Sequence, residues 1–326
     1  MSAPFESIPS GWYCVAFSHE LKRGEVHAVR YFGRELVLYR TAGGVACLHD
    51  AHCPHMGAHL GHGGTVEGEL LRCPFHGFCF DREGACASTA YGTKPPPAAR
   101  LGTWRVQEKH GFVLAWYHPR GAAPTWEVPD VDTDGWSGLI STRWELRSHP
   151  QETSENSVDF GHFTQVHAFT RAEITRPVET KGPLLTTSYQ VVRSLDVVGL
   201  PGVRVDVNFD VYVHGLGYSL VDGAVPRLGM LMRQFVLSTP VDAQTVHLRI
   251  GTRSGRVPVP GLTRLMAWVL YRGLSVEVGQ DFAIWKNKRY VKRPALAAGD
   301  GPIATYRRWC RQFYDEPAVE QRSVVG

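Results

Sequence analysis

The chain has 326 residues, 43% of them hydrophobic and 20% charged, with a formal net charge of +4. That composition gives an ordinary globular protein of two domains or one large one, and the mild charge, with no Lys/Arg run to track a phosphate backbone, argues against a nucleic-acid partner. The most apolar helical stretch, LMAWVLY at 265 to 271, falls far below the roughly 20 residues of a membrane span, and MSAPFESIPSGWY lacks the basic and apolar regions of an export signal, so a cytoplasmic protein is expected.

Taken in chain order, the short apolar runs WYCVAF, HAVRYFG, ELVLYR, GVACLH and WRVQEKHGFVLAWY lie between about Trp12 and His118, separated by Gly-rich turns. They predict short antiparallel strands, because Val, Tyr and Phe favour strands and GG or HG pairs favour turns. HPRGAAPTWEVPDVDTDGW has no sustained period and predicts a linker, which places a boundary near residue 120. TSENSVDFGHFTQVHAF reads as a helix with Thr153 or Ser154 as N-cap and Glu155 in its first turn. VRVDVNFDVYVH at 203 to 214 alternates as a strand, and MLMRQFVLST with TVHLRIGTR makes a candidate hairpin. PGLTRLMAWVLYRGLSVEVGQDFAIWKNKRY resumes helical character to about Tyr290. The expected fold class is α+β: an all-β domain at 1–119, then an antiparallel sheet with flanking helices at 120–326. No internal repeat is present.

Two loops carry the first candidate site. CPHMGAHL supplies Cys53 and His55, and CPFHGF supplies Cys73 and His76. Four-ligand zinc sites usually group like ligands, Cys with Cys and His with His, whereas each of these loops carries one of each. Mixed loops suit a binuclear cluster in which one iron takes both thiolates and the other both imidazoles, the Rieske arrangement. Neutral imidazoles in place of two thiolates raise the potential to about −150 to +300 mV, from about −400 mV. Zinc, or plain burial, is the alternative. Pro54 and Pro74 stiffen the loops, and Gly57 and Gly77 let main-chain amides approach sulfur. Nearby His49, His52, His59 and His62 read as surface or hydrogen-bonding residues, and Cys79 and Cys86 as small hydrophobes. The odd count of seven cysteines fits a reducing compartment better than a disulfide framework.

The second candidate site lies in ENSVDFGHFTQVH. His162 and His167 are potential iron ligands that an anionic third group would complete as a two-His-one-carboxylate triad; the alternative is two unrelated histidines on an amphipathic helix. At about 100° per residue His167 is turned about 140° from His162, so the helix must distort or end between them. Two acids one turn apart, Glu277 and Asp281, compete for the third place, and periodicity does not separate them. The apolar runs VNFDVYVHGLGYSL and MLMRQFV suit a pocket wall or, more simply, one buried face of a sheet.

CPHMGAHL and CPFHGF resemble the two halves of the Rieske 2Fe-2S motif. ENSVDFGHFTQVH is similar to the N-x-x-D-x-x-H-x-x-x-x-H segment of Rieske non-heme iron oxygenases, and QDFAIWKNKRY to the later helix that supplies their carboxylate. GDGPIATYRRWCRQFYDE, from Gly299, resembles the C-terminal segment of 3-ketosteroid 9α-hydroxylase oxygenase components and cholesterol 7-desaturases. This resemblance implies an all-β Rieske domain followed by a START-like catalytic domain, a 2Fe-2S cluster on Cys53, His55, Cys73 and His76, and mononuclear Fe(II) on His162, His167 and Asp281. It implies a head-to-tail homotrimer in which Asp159 bridges His162 to a neighbour's His76, with Asn156 near the iron pocket. It implies an O2-dependent monooxygenase that hydroxylates a hydrophobic polycyclic, steroid-like molecule, with electrons from NAD(P)H through a separate ferredoxin or flavin reductase. Sterol desaturation, or hydroxylation of another lipophilic or aromatic natural product, is the rival with the same iron chemistry. The chain has no G-x-G-x-x-G after a strand with which to bind the nicotinamide itself, and GHGGTVEG at 61 to 68 sits inside the cluster region.

Overall fold

The computed structural model describes residues 7–167, 169–194, 202–257, 259 and 261–314. Short strands broken at glycine turns build the first half. β1 (Gly11–Phe17), β9 (Val106–Lys109) and β10 (Phe112–Tyr117) pair in the order β1-β10-β9; β2 (Val26–Tyr31), β3 (Arg34–Arg40) and β4 (Ala46–Asp50) form a second sheet in chain order. A third holds β5 (Thr65–Glu67), β6 (Leu70–Arg72), β7 (Cys79–Phe80) and β8 (Cys86–Ser88), and it carries one cluster loop between β6 and β7. All five runs read as strands in the sequence are strands.

The second half is one seven-stranded antiparallel sheet. Its strands are β11 (Ile140–Arg147), β12 (Arg171–Lys181), β13 (Leu184–Ser194), β14 (Arg204–His214), β15 (Tyr218–Val225), β16 (Met230–Pro240) and β17 (Thr245–Ser254), in the order β11-β17-β16-β15-β14-β13-β12. Helices α1 (Pro150–Glu155), α2 (His162–Gln165), α3 (Leu262–Trp285) and α4 (Ile303–Cys310) complete it. Strand periodicity sorts the sheet's two faces. On β15 and β16, Tyr218, Leu220, Phe235 and Leu237 pack against Trp12, Phe112 and Leu114 of the first half. Val246, Leu248 and Ile250 of β17 take the other face, against Leu274, Val278 and Trp285 of α3.

The joint between the halves is polar at its centre. A bulge in β1 between Cys14 and Ala16 breaks the ladder to β10. The fully buried Arg249 donates to Cys14 O at 2.7 Å, to Val15 O at 2.9 Å and to Tyr31 Oη at 2.7 Å, while Thr239 Oγ1 donates to Cys14 O at 2.6 Å. Free carbonyls of this kind need donors when buried.

Three readings change. The stretch read as one helix from Thr153 is two short helices: α1 begins at Pro150, and His149, not Thr153 or Ser154, is its N-cap, accepting from Gln151 N. α3 ends at Trp285 rather than near Tyr290, its end closed by Lys286 N on Phe282 O and by Asn287 Nδ2 on Ala283 O at 2.8 Å. The residues taken for a linker are partly core, since Trp126 stands edge-on to Trp116 and Phe313 at 4.6 and 5.7 Å. Among the described residues no helix is long and apolar enough to cross a membrane. The first six residues, and Asp315 and Glu316 of the C-terminal segment, lie outside the described residues.

Candidate active site

The two Cys/His loops close in the same way. Cys53 N donates to Ala58 O and Cys73 N to Phe78 O, at 2.9 and 2.8 Å; Gly57 N returns to Cys53 O and Gly77 N to Cys73 O, at 2.9 and 3.1 Å. The two glycines reach the left-handed region, φ +77° and +65°, that this closure requires. Both thiols are buried at 2% exposure, whereas His55 is exposed and His76 half-buried. The imidazoles stand edge to face, 4.7 Å apart, with His55 stacked on Phe78 at 4.3 Å. Burial pushes the Cys53 thiol up to about 11, against main-chain N–H donors from His55 and Met56 that favour the thiolate. A sulfur pair inside, an imidazole pair outside and amides aimed at sulfur fit a 2Fe-2S cluster with one iron on each pair.

The neighbouring histidines divide. His49 is buried beside Tyr39 Oη at 3.5 Å. His52, His59 and His62 form an outer string with rings 5.1 and 4.5 Å apart. Cys79 is buried and Cys86 half-buried.

The second site is assembled by three helices. α1 is clamped from outside: Glu155 takes a two-pronged pair from Arg307 of α4 at 2.6 and 2.8 Å, and Tyr306 Oη donates to Gln151 O at 2.7 Å. The chain then turns beneath the segment before α4, where Gly301, at φ +87°, leaves no room for a Cβ, which would lie 2.3 Å from Val158 O. That close approach explains part of the GDG sequence at 299 to 301. α2 is a single turn capped at Val166, so it does end between the two histidines, and His167 lies just beyond it.

His162, His167 and Asp281 meet there, with one ligand atom from each lying within 4.8 Å of the others. His167 Nε2 is 3.6 Å from Asp281 Oδ1, and its Nδ1 donates to Gln280 Oε1 at 3.0 Å. The His162 ring is oriented by the main-chain carbonyl of Asp159, which accepts from Nδ1 at 2.5 Å, while the Asp159 carboxylate stands 3.6 Å away. Burial pushes the Asp281 carboxyl up, opposed by His167, by His162 and by a hydrogen bond from Asn156, the residue that ends α1. Two imidazoles with their Nδ1 atoms engaged and one buried carboxyl fit a ferrous ion and leave open positions. Glu277, the competing acid, does not join the group: it is largely buried and paired with Arg193 at 2.6 Å. Sequence reasoning missed Gln280 and Arg193; the Gln-Asp pair at 280 and 281 was the available signal for the first.

This group opens on a cavity of about 140 Å³ between the helices and the sheet. Phe163, Phe169, Tyr189 and Phe209 line it near the histidines, and Val211, Val221 and Val236 continue along the sheet. The two apolar runs therefore serve both ends proposed for them, since Phe209, Val211 and Val236 line the cavity while Tyr218, Leu220 and Phe235 are core.

Comparisons with known proteins give the family of each half. Residues 115–314 match the family described as the 3-ketosteroid 9alpha-hydroxylase C-terminal domain, and residues 11–101 match the Rieske [2Fe-2S] domain. The chain is 31% identical to a probable 3-ketosteroid-9-alpha-monooxygenase, oxygenase component, of Rhodococcus rhodochrous, over 96% of this chain and 82% of that one. It is also 31% identical to a cholesterol 7-desaturase of Caenorhabditis elegans, over 95% and 77%. Dicamba monooxygenase bound to dicamba has a similar fold, with TM-score 0.76 at 22% identity over 93% and 96% of the two chains.

Proposed function

Because the chain belongs to the Rieske non-heme iron oxygenases that carry a 3-ketosteroid 9α-hydroxylase C-terminal domain, we propose that it is the terminal oxygenase component of a monooxygenase that hydroxylates a hydrophobic polycyclic, steroid-like molecule. The carrying observation is the His162–His167–Asp281 group opening on an apolar cavity, in a chain that also holds the paired Cys/His loops. Cys53, His55, Cys73 and His76 would hold the cluster, in a Rieske domain at 1–119, and His162, His167 and Asp281 the iron, in a catalytic domain at 120–326. When bound, these groups supply one-electron transfer and O2 activation.

The protein's part is positional. Gln280 keeps the His167 proton on Nδ1 and the Asp159 carbonyl keeps the His162 proton on Nδ1, so each ring presents Nε2. Asn156 orients the Asp281 carboxyl. The rings of Phe163, Phe169 and Phe209 exclude water and suit hydrocarbon. The Asp159 carboxylate, 38% exposed and 3.6 Å from His162 Nδ1, would bridge His162 to a neighbour's His76 in a head-to-tail homotrimer. Electrons would come from NAD(P)H through a ferredoxin or flavin reductase in the cytoplasm.

The test is turnover of a sterol and 3-ketosteroid panel with a surrogate reductase, read by mass spectrometry. Gain of one oxygen is the expected outcome. Loss of two hydrogens would instead make the protein a desaturase, the rival reading that its 31% identity to the nematode enzyme supports equally well. No product from any steroid would overturn the substrate class.

A further inference from the structure

The cavity floor has two polar places that the fold does not use. β16 presents Gln234, Val236 and Ser238 to the cavity on successive same-face positions. Ser238 is 4% exposed, and its Oγ has no hydrogen-bond partner among the described residues. Gln234 is 7% exposed, and among the described residues its side-chain amide bonds only the Met232 sulfur, at 3.8 Å, a weak acceptor. Thr252, directly across the strand pair from Gln234, also has an unpartnered Oγ1.

Two hydroxyls lining the cavity from α1 behave differently. Ser154 Oγ donates to Leu216 O at 3.1 Å, and Thr153 Oγ1 to Pro150 O at 3.1 Å, so the helical wall spends its hydroxyls on the fold. A buried polar group left unpaired is costly to the ligand-free protein, and such orphans are uncommon in native interiors. Here Ser238 is such an orphan and Gln234, with only a sulfur for a partner among the described residues, is nearly one, beside Val211, Val221 and Leu248 in the same wall. Four residues of strand separate Gln234 from Ser238, about 13 Å along the floor.

Resting on the reading of this cavity as the substrate site, we infer that Ser238 and Gln234 are specificity-determining residues, each taking a hydrogen bond to a different oxygen of the substrate. The enzyme selects a rigid lipophile oxygenated at two separated positions over its less oxygenated analogues. Sites built to hydrogen-bond a substrate group discriminate strongly against the analogue that lacks it, because the protein group then stays unpaired.

The experiment measures dissociation constants by quenching of tryptophan fluorescence, Trp285 being part of the cavity wall. The protein is the cluster- and iron-loaded wild type, Ser238→Ala and Gln234→Leu; the probes are androst-4-ene-3,17-dione, androst-4-en-3-one and androst-4-en-17-one. Wild type should bind the dione about tenfold tighter than either monoketone. Each variant should lose its preference for one ketone and keep it for the other. Equal weakening of all three probes, or none, overturns the inference while leaving a steroid substrate standing. Failure of wild type to bind any probe overturns the steroid reading instead. The inference is then decided without ligand: Ser238→Ala should leave the thermal midpoint unchanged or raise it, and a fall would reveal a structural hydrogen bond and overturn the inference.

Discussion

His167 sits between two neighbours on one turn of α3: Nδ1 donates to Gln280 Oε1 at 3.0 Å while Nε2 faces Asp281 Oδ1 at 3.6 Å. Consecutive residues of a helix do not ordinarily serve one partner, because they point about 100° apart. The two nitrogens of one ring meet both, so one short stretch of α3 fixes the tautomer of one proposed ligand and supplies the next.

Gln280→Ala should therefore weaken iron binding about 10- to 100-fold, the usual cost of removing such a partner. The cluster's visible absorption should not change. Iron titration of the apo-protein, followed by the loss of mononuclear iron on gel filtration, measures it.

The ligand assignment gives a sharper count. Wild type should hold roughly three irons per chain, and His162→Ala roughly two, with the visible spectrum kept. Cys53→Ser should bleach that spectrum, and Cys86→Ser, at a half-buried thiol on β8, should not.

Stability should fall in mild acid. Burial holds His149 at about 3, far below the 6.5 of an unfolded histidine. The folded state therefore refuses a proton that the unfolded state accepts, and stability is present above pH 6.5 and lost as pH falls toward 3. The proton would also occupy Nδ1, which accepts from Gln151 N at the start of α1. Between pH 7 and pH 5 the loss should be about 2 kcal/mol. Urea midpoints measure it, and His149→Asn, which keeps a capping acceptor but does not titrate, should make the curve less steep, the remaining slope coming from His49 and His214, which burial holds at about 4.

Arg249→Met should destabilise the protein by roughly 3 kcal/mol, since it strips donors from Cys14 O, Val15 O and Tyr31 Oη in a dry interior. Thermal unfolding should stay a single transition, with loss of cluster absorbance and loss of far-ultraviolet signal at the same lowered midpoint.

The outer strands of the first half, β1 to β4 with β9 and β10, were legible as short apolar runs between glycine turns, whereas β5 to β8, two or three residues each, were too short to show a pattern. In the second half β14 was legible by alternation, its odd-numbered valines and Phe209 alternating with more polar residues. β12 was not: it is an edge strand, mostly exposed along its length, so burial imposes no alternation on it. The grouping of His162, His167 and Asp281 was legible through the family resemblance, and the break between His162 and His167 through helical angle alone. The fate of Glu277 was hidden because its partner, Arg193, lies on a distant strand. Gln234 and Ser238 were hidden too, being ordinary polar residues whose meaning depends on what fails to reach them.

The guanidinium of Arg249 also bears on how such chains can be recombined. The two halves match separate families, which invites grafting one electron-transfer half onto another catalytic half. In this chain a foreign first half lacking the β1 bulge would offer its ladder carbonyls already paired, leaving a cation enclosed with no acceptor. A working chimera must inherit the kink of one parent together with the arginine of the other.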